Sequence, residues 1–259
     1  MATPDRKPAA VVTGAGSGIG RATVERLQRD GWAVLAVDVD EAGLEAVAGL
    51  PDVATSTTDV RTPEANAAMA EESVARFGGL DGLVLNAGVA TAGPLETQPI
   101  DELDKVLAVN LRGAILGLRA AIPALRASER GAVVVTASVS GLRGDPEMWA
   151  YNASKAGLVN FARAAAIDLG GEGIRVNAVC PGPIAGTGMT APLEQHAPAL
   201  YEEMRSHVPL DRWGRPEEVA AAIAWLLSDD ASYVSGVALP VDGGITASTG
   251  MKRPRFGVG

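Results

Sequence analysis

One cysteine, Cys180, stands in 259 residues, so no disulfide can form within the chain. Histidine is almost as scarce. His196 and His207 lack the spacing of metal ligands, and no metal site is expected. Basic charge is short as well: 22 Lys and Arg face 31 Asp and Glu, a formal net charge of −9. That balance argues against a nucleic-acid surface. No uninterrupted apolar run approaches the roughly 20 residues of a membrane span. Met1 to Pro8 is polar and lacks the apolar core of a signal peptide. Together these absences predict a soluble, cytoplasmic protein with neither nucleic acid nor membrane as partner. Internal repeats and low-complexity linkers are missing too, which predicts one domain over residues 1–259.

What is present is apolar and patterned. Hydrophobic residues make up 47% of the chain and charged ones 20%, enough for a sizeable core. Short β-branched runs at 9–13, 33–37, 53–57, 83–85, 132–137, 174–180 and 237–241 alternate with helical stretches. That alternation predicts an α/β fold with a parallel sheet, whose buried strands read as continuous apolar runs. Thr62 with Pro63, and Arg215 with Pro216, mark helix starts. Another helix is predicted from about Asp101 past Asn110, with Pro123 near its end.

Polar and glycine residues gather where these strands finish. After the first comes Gly14-Ala15-Gly16-Ser17-Gly18-Ile19-Gly20, opening a helix. The spacing is T-G-x-x-x-G-x-G rather than G-x-G-x-x-G. A glycine turn between strand and helix lets backbone N–H groups approach a pyrophosphate. Asp38 ends the second strand, where a carboxylate suits the adenosine ribose and repels a 2′-phosphate. No Lys or Arg lies from Gly14 to Gly20 or from Val39 to Glu45, so NAD is favoured over NADP. Asn86 follows the fourth strand, either as a turn residue or beside a cofactor. Asn110 interrupts an apolar helical stretch, an unfavourable place for asparagine. Ser138 follows the fifth strand. Tyr151 and Lys155 fall at i and i+4 of a predicted helix and share one face. A phenol ordinarily ionises near pH ~10, and a cation one turn away favours the phenolate. Such a phenol can exchange a proton with a substrate oxygen.

Taken jointly and in order, Thr13-Gly14-x-x-x-Gly18-Ile19-Gly20, Asp59-Val60, Asn86-Ala87-Gly88, Asn110, Ser138, Tyr151-x-x-x-Lys155, and Asn177 with Pro181-Gly182 resemble the short-chain dehydrogenase/reductase family, single-domain type. The resemblance runs from about Ala9 to Ile245. It implies a Rossmann-type, doubly wound, seven-stranded parallel sheet of order 3-2-1-4-5-6-7, and a homotetramer. It also implies roles. Tyr151 would be the general acid/base. Lys155 would hold the nicotinamide ribose and lower the Tyr151 pKa. Ser138 would bond the substrate oxygen, and Asn110 would position a relay water. Gly14, Ser17, Gly18, Ile19 and Gly20 would cradle the pyrophosphate. Asp38 would take the adenosine ribose, with Asp59 and Val60 near the adenine and Asn86, Ala87 and Gly88 alongside. Pro181, Gly182, Ile184 and Thr187 would border the nicotinamide. The chain departs from the family pattern twice: Leu85 replaces a frequent Asn, and Gly186 stands where a Thr is usual, with Thr187 one residue later.

Residues 184–210 would then form a substrate lid. Its apolar members Met189, Leu193, Leu200 and Met204 either line a pocket or pack a helix; Met148 and Trp149 would add a second wall. The tail, 251–259, is read as disordered or as crossing to a neighbouring subunit. The expected activity is NAD-dependent interconversion of a secondary alcohol and a ketone on a mainly apolar or cyclic substrate. Two alternatives stand beside it: a 3-oxoacyl carrier-protein reductase, which would prefer NADPH, and a non-catalytic NAD-binding regulator.

Overall fold

The computed structural model describes residues 6–248; the 251–259 tail lies outside them. Seven parallel strands form the sheet: β1 (Ala9–Thr13), β2 (Ala33–Asp38), β3 (Val53–Thr57), β4 (Gly82–Leu85), β5 (Ala132–Thr136), β6 (Arg175–Pro181) and β7 (Ala238–Val241). Their order is β3-β2-β1-β4-β5-β6-β7. The chain reverses direction across the sheet between β1 and β4, which opens a crevice at their C-terminal ends.

Strand side chains alternate between two faces, and both faces are buried. Val11, Leu35, Leu83, Val133, Val135 and Val176 enter one core, with α3 (Pro63–Phe77), α5 (Gly113–Arg126) and α6 (Trp149–Gly170). Ala10, Val12, Val34, Val84 and Val134 enter the other, against α1 (Gly18–Arg29), α2 (Glu41–Ala48) and α9 (Pro216–Leu227). At the N-terminal edge, buried Asp81 joins three segments. It accepts from Arg6 (2.5 and 2.8 Å), Ser128 Oγ (2.6 Å) and the Ala9 N–H (2.8 Å). These bonds hold its carboxyl below the usual range although burial acts against them.

Three elements differ from the sequence expectation. Helix α1 starts at Gly18, not near Arg21, so the end of the glycine loop is already its first turn. The helix around Asn110 divides into α4 (Ile100–Val106), a π-turn (Leu107–Arg112) and α5. That wide turn contains Asn110, the residue whose helix propensity was poor. Ile100–Arg126 spans 27 residues and holds an 18-residue window of mean hydropathy 1.4, so by length and composition it could cross a membrane. Reading only uninterrupted apolar runs passed over it. Its inward side, including Val106, Leu118, Ala121 and Leu125, is buried in the protein. Lastly, the 184–210 segment carries two short helices, α7 (Ala191–His196) and α8 (Pro198–Ser206). They break at Ala197, because the residue before a proline is pushed out of the α region. Leu200 and Met204 remain exposed, so they pack no core. Helix α8 is held instead by stacking of Tyr201 on Trp213, with ring centroids 4.1 Å apart.

Candidate active site

The glycine loop is fitted closely against the end of β4. Thr13 Oγ1 accepts from the N–H groups of Asn86 and Ala87 (3.0 and 3.1 Å). Asn86 Nδ2 donates to the carbonyls of Thr13 and Gly14 (3.1 and 3.2 Å). Its amide therefore holds the loop rather than reaching across the crevice. Gly14 has φ +67, and a Cβ there would lie 2.9 Å from the Ala87 Cα. One at Gly20 would collide with the Gly14 carbonyl. These approaches admit glycine alone, and they leave the start of α1 open to an anion.

Asp38 turns back onto this loop. One carboxylate oxygen accepts from the Gly16 N–H at 2.8 Å and the other from the Asp40 N–H at 3.0 Å. Arg21, just past the loop, donates to the Gly16 carbonyl. That cation stands one residue beyond Gly20, outside the 14–20 stretch that lacks Lys and Arg. Val60 is buried beside Gly113. Asp59 is paired with Arg61 at 2.6 Å, which lowers its pKa.

The second half of the site stands on β5 and α6. Ser138 follows β5 and caps a short 3₁₀ turn, Val139–Gly141. Tyr151 and Lys155 occupy the first turns of α6 and are both buried. Lys155 Nζ lies 5.5 Å from the centre of the Tyr151 ring and donates to the Thr136 carbonyl at 2.8 Å. No carboxylate pairs with it among the described residues. Burial therefore pushes its pKa down to about 8.

Tyr151 departs from the sequence expectation. Burial raises its pKa, the hydrogen bond with Ser138 pulls it down, and the charge of Asp145 pushes it up. The net direction is upward: desolvation outweighs the stabilisation expected from Lys155 one helical turn away.

Asn110 joins the two halves. Its Nδ2 donates to the Val89 carbonyl (2.9 Å) and Ser154 Oγ (3.0 Å), and its Oδ1 accepts from the Val89 N–H (2.8 Å). Gly88 lies between Asn110 and Lys155: a Cβ there would stand 3.4 Å from Asn110 Oδ1 and from Lys155 Nζ. Ser154 had no place in the sequence reading; its signal was an alcohol next to Lys155 in the Tyr-x-x-x-Lys spacing. Its hydroxyl also donates to the Tyr151 carbonyl at 2.7 Å.

At the lid, Gly182 approaches the Asp242 backbone, where a Cβ would stand 2.8 Å from its Cα. Ile184 is buried and bridges to Gly214. Thr187 reaches the glycine loop: its Cβ would lie 3.3 Å from a Cβ on Gly18. Thr187, one position later than the family pattern, thus lies against the glycine loop. Thr190 Oγ1 fixes this turn through Thr187 Oγ1 (2.9 Å) and the Ile184 carbonyl (2.6 Å). Of the expected substrate residues, Met148 and Trp149 open α6, and the Trp149 indole nitrogen is buried without a partner. Leu193 lies in α7, and Met189 is exposed ahead of it.

The crevice can accept a dinucleotide. It offers a side-chain-free loop at a helix N-terminus, a carboxylate at the end of β2, and a buried ammonium with donors to spare. Fold and site together define a Rossmann-type oxidoreductase that uses a nicotinamide cofactor. The chain belongs to the short-chain dehydrogenase/reductase family. A family profile described as enoyl-(acyl carrier protein) reductase matches residues 14–246. Levodione reductase of Leifsonia aquatica is 40% identical, over 92% of this chain and 94% of its own. Cis-4-hydroxycyclohexanecarboxylate dehydrogenase of Sinomonas cyclohexanicum is 41% identical, over 92% and 96%. A crystal structure of levodione reductase superposes with a TM-score of 0.88 over 93% of this chain and 98% of that one, at 40% identity.

The buried ammonium predicts a stability signature in the cofactor-free protein. Unfolded, Lys155 keeps its proton to about pH 10.5; folded, only to about 8. The folded state therefore carries the full penalty below about pH 8, and the penalty fades as pH rises toward 10.5. Lys155→Met should raise the melting temperature at pH 7, by a margin that shrinks through that window. Calorimetry across pH checks it; an unchanged or lower melting temperature at pH 7 contradicts it.

Proposed function

We propose that this chain interconverts a secondary alcohol and a ketone, with NAD as cofactor, on a mainly apolar, cyclic substrate. The observation that carries the reading is the convergence of Ser138, Tyr151 and Lys155 beside the glycine loop, past the C-terminal ends of the strands. The nicotinamide, when bound, supplies hydride transfer, and the protein supplies position and proton handling. Gly14 to Gly20, Asp38, Val60, Gly88, Lys155 and Thr187 are the residues proposed to hold it.

Tyr151 is proposed as the group that moves the proton. Its buried phenol is held protonated at neutral pH, as proton donation to a ketone oxygen requires. Ser138 bonds the same substrate oxygen. Lys155 offers its free N–H donors beside Gly88 and places a positive charge near any phenolate that forms. Asn110 keeps Gly88 and Tyr151 in register through Val89 and Ser154. A cyclic substrate is supported by the relative named for a hydroxycyclohexane carboxylate. An anionic one is not favoured: Arg143, the basic residue nearest Tyr151 in sequence after Lys155, donates to the carbonyls of Thr246 and Ser248.

Tyr151→Phe removes the proton but keeps the ring. We expect kcat to fall by ~10²–10⁴-fold, with NADH affinity retained. Steady-state kinetics on a panel of secondary alcohols, with NADH titration alongside, tests both parts. A variant with wild-type kcat would falsify the assignment of Tyr151.

Cofactor choice rests on Asp38. A 2′-phosphate would face its carboxylate, and Arg21 is already engaged with the loop carbonyl. Like-charge juxtaposition costs several kcal/mol, so kcat/KM for NAD⁺ should exceed that for NADP⁺ by at least ~100-fold. Replacing Asp38 by Ala and Val39 by Arg should narrow or invert the ratio, because Arg binds phosphate through two parallel bonds. A wild type that prefers NADP⁺ contradicts the reading.

Tetramers built on α5 and α6 complete the proposal. Ile115 is 40% and Ile167 81% exposed on these helices, apolar surface that association would cover. Light scattering should give the mass of four chains at micromolar concentration; a monomer there contradicts it.

A further inference from the structure

A hydrogen-bonded chain runs from the surface to Ser138 and uses residues that the roles above leave idle. Asp145 lies in the loop between the 3₁₀ turn and α6. That loop is fixed at two points: Asn152 Nδ2 donates to the Asp145 carbonyl at 2.8 Å, and the Gly93 N–H donates to the Glu147 carbonyl at 2.9 Å. The Asp145 carboxylate accepts from Ser140 Oγ at 2.5 Å. Ser138 Oγ donates to Ser140 Oγ at 3.0 Å and accepts from the Ser140 N–H at 3.1 Å. Both serines are buried.

The direction of this chain follows from proton counting. An ionised carboxylate only accepts, and each serine hydroxyl has one proton. Ser140 must spend its proton on Asp145, so its oxygen receives the proton of Ser138. While the Tyr151 phenol is protonated, Ser138 therefore keeps its hydrogen turned toward Ser140, and only a phenolate would draw it back. In that state the remaining lone pair of Ser138 is what is left for the substrate.

We propose that Asp145 and Ser140 are positioning residues that set Ser138 as a hydrogen-bond acceptor, so that the site holds an alcohol hydroxyl better than a ketone oxygen. An alcohol can donate to Ser138. A ketone cannot, and gains a bond from Ser138 only if Ser138 releases Ser140. The inference rests on the secondary alcohol/ketone reading and adds a preference between its two substrates.

Two substitutions relax the chain. Asp145→Asn provides an amide that can donate as well as accept, so both directions become available. Ser140→Ala keeps the backbone N–H bond to Ser138 but frees its proton. Affinity is read in complexes where no hydride can move: cyclohexanone on the enzyme loaded with NAD⁺, and cyclohexanol on the enzyme loaded with NADH. We expect both variants to bind cyclohexanone about three- to tenfold more tightly than the wild type, the worth of one neutral hydrogen bond, with cyclohexanol unchanged or weaker. Structural damage does not tighten one ligand alone. Ketone affinity that is unchanged or weaker in both variants, or a gain shared equally by the alcohol, overturns the proposal. A wild type that binds neither probe and oxidises no secondary alcohol removes the functional reading, and this proposal with it.

Discussion

A buried ammonium with one hydrogen bond is the constraint that the rest of the site answers. Lys155 is 3% exposed, bonded to the Thr136 carbonyl, with no carboxylate partner among the described residues. Burying an unpaired charge is costly, and the protein relieves the cost only in part. The ring of Tyr151 lies 5.5 Å away, near enough for a weak cation–π contribution. Lowering the pKa to about 8 relieves more. The remainder has to be carried by the two apolar cores that close on both faces of the sheet. Stability given up at such a point is typical of a group kept for function, and the free N–H donors of Lys155 are what that exchange leaves available.

Holding that ammonium beside an empty corner requires backbone to pass close to it, and Asn110 arranges this. A regular α-helix through Leu107–Arg112 would keep every N–H four residues from its acceptor. The π-turn widens that stretch instead. From there one amide side chain serves both Val89 and Ser154, joining the loop after β4 that carries Gly88 to the helix that carries Tyr151 and Lys155. The glycine loop is fixed to the same strand end through Thr13 and Asn86. The cofactor half and the proton half of the site are thus connected by amide groups, which hold orientation without adding charge beside Lys155.

Much of this was legible in the sequence, for a physical reason. Strands buried on both faces have no polar side, so β1, β2 and β5 stand out as continuous apolar runs. The polar residues that end them then mark the crevice, and the Tyr-x-x-x-Lys spacing places two side chains on one turn. What escaped depends on distance through space. Asn110 was visible as an anomaly, yet a π-turn has no sequence signature of its own. Asn86 offered two readings, and only contact with the Thr13 and Gly14 carbonyls separates them. The i,i+4 spacing of Tyr151 and Lys155 suggested a lowered phenol pKa; it carries no information about desolvation, which proved the larger influence. Asp145 is seven residues from Ser138 in an irregular loop, and no periodicity connects them.

Tyr151 and Ser138, on the proposed reading, meet the same substrate oxygen with opposite capacities. The phenol, kept protonated by burial, is a donor. Ser138, with its proton drawn toward Ser140 and Asp145, is an acceptor. An alcohol oxygen accepts one hydrogen bond and donates another, so it satisfies both groups. A ketone oxygen only accepts, so it satisfies Tyr151 and leaves a lone pair of Ser138 facing it. Two buried acceptors in contact repel, and an unsatisfied one costs about 1–3 kcal/mol. The proton inventory of these side chains therefore makes the alcohol complex the better-satisfied one, although the same phenol is ready to deliver its proton to the ketone. Tight alcohol binding and efficient ketone reduction are compatible in one site, because the first is set by Ser138 in the ground state and the second by Tyr151 in the transition state.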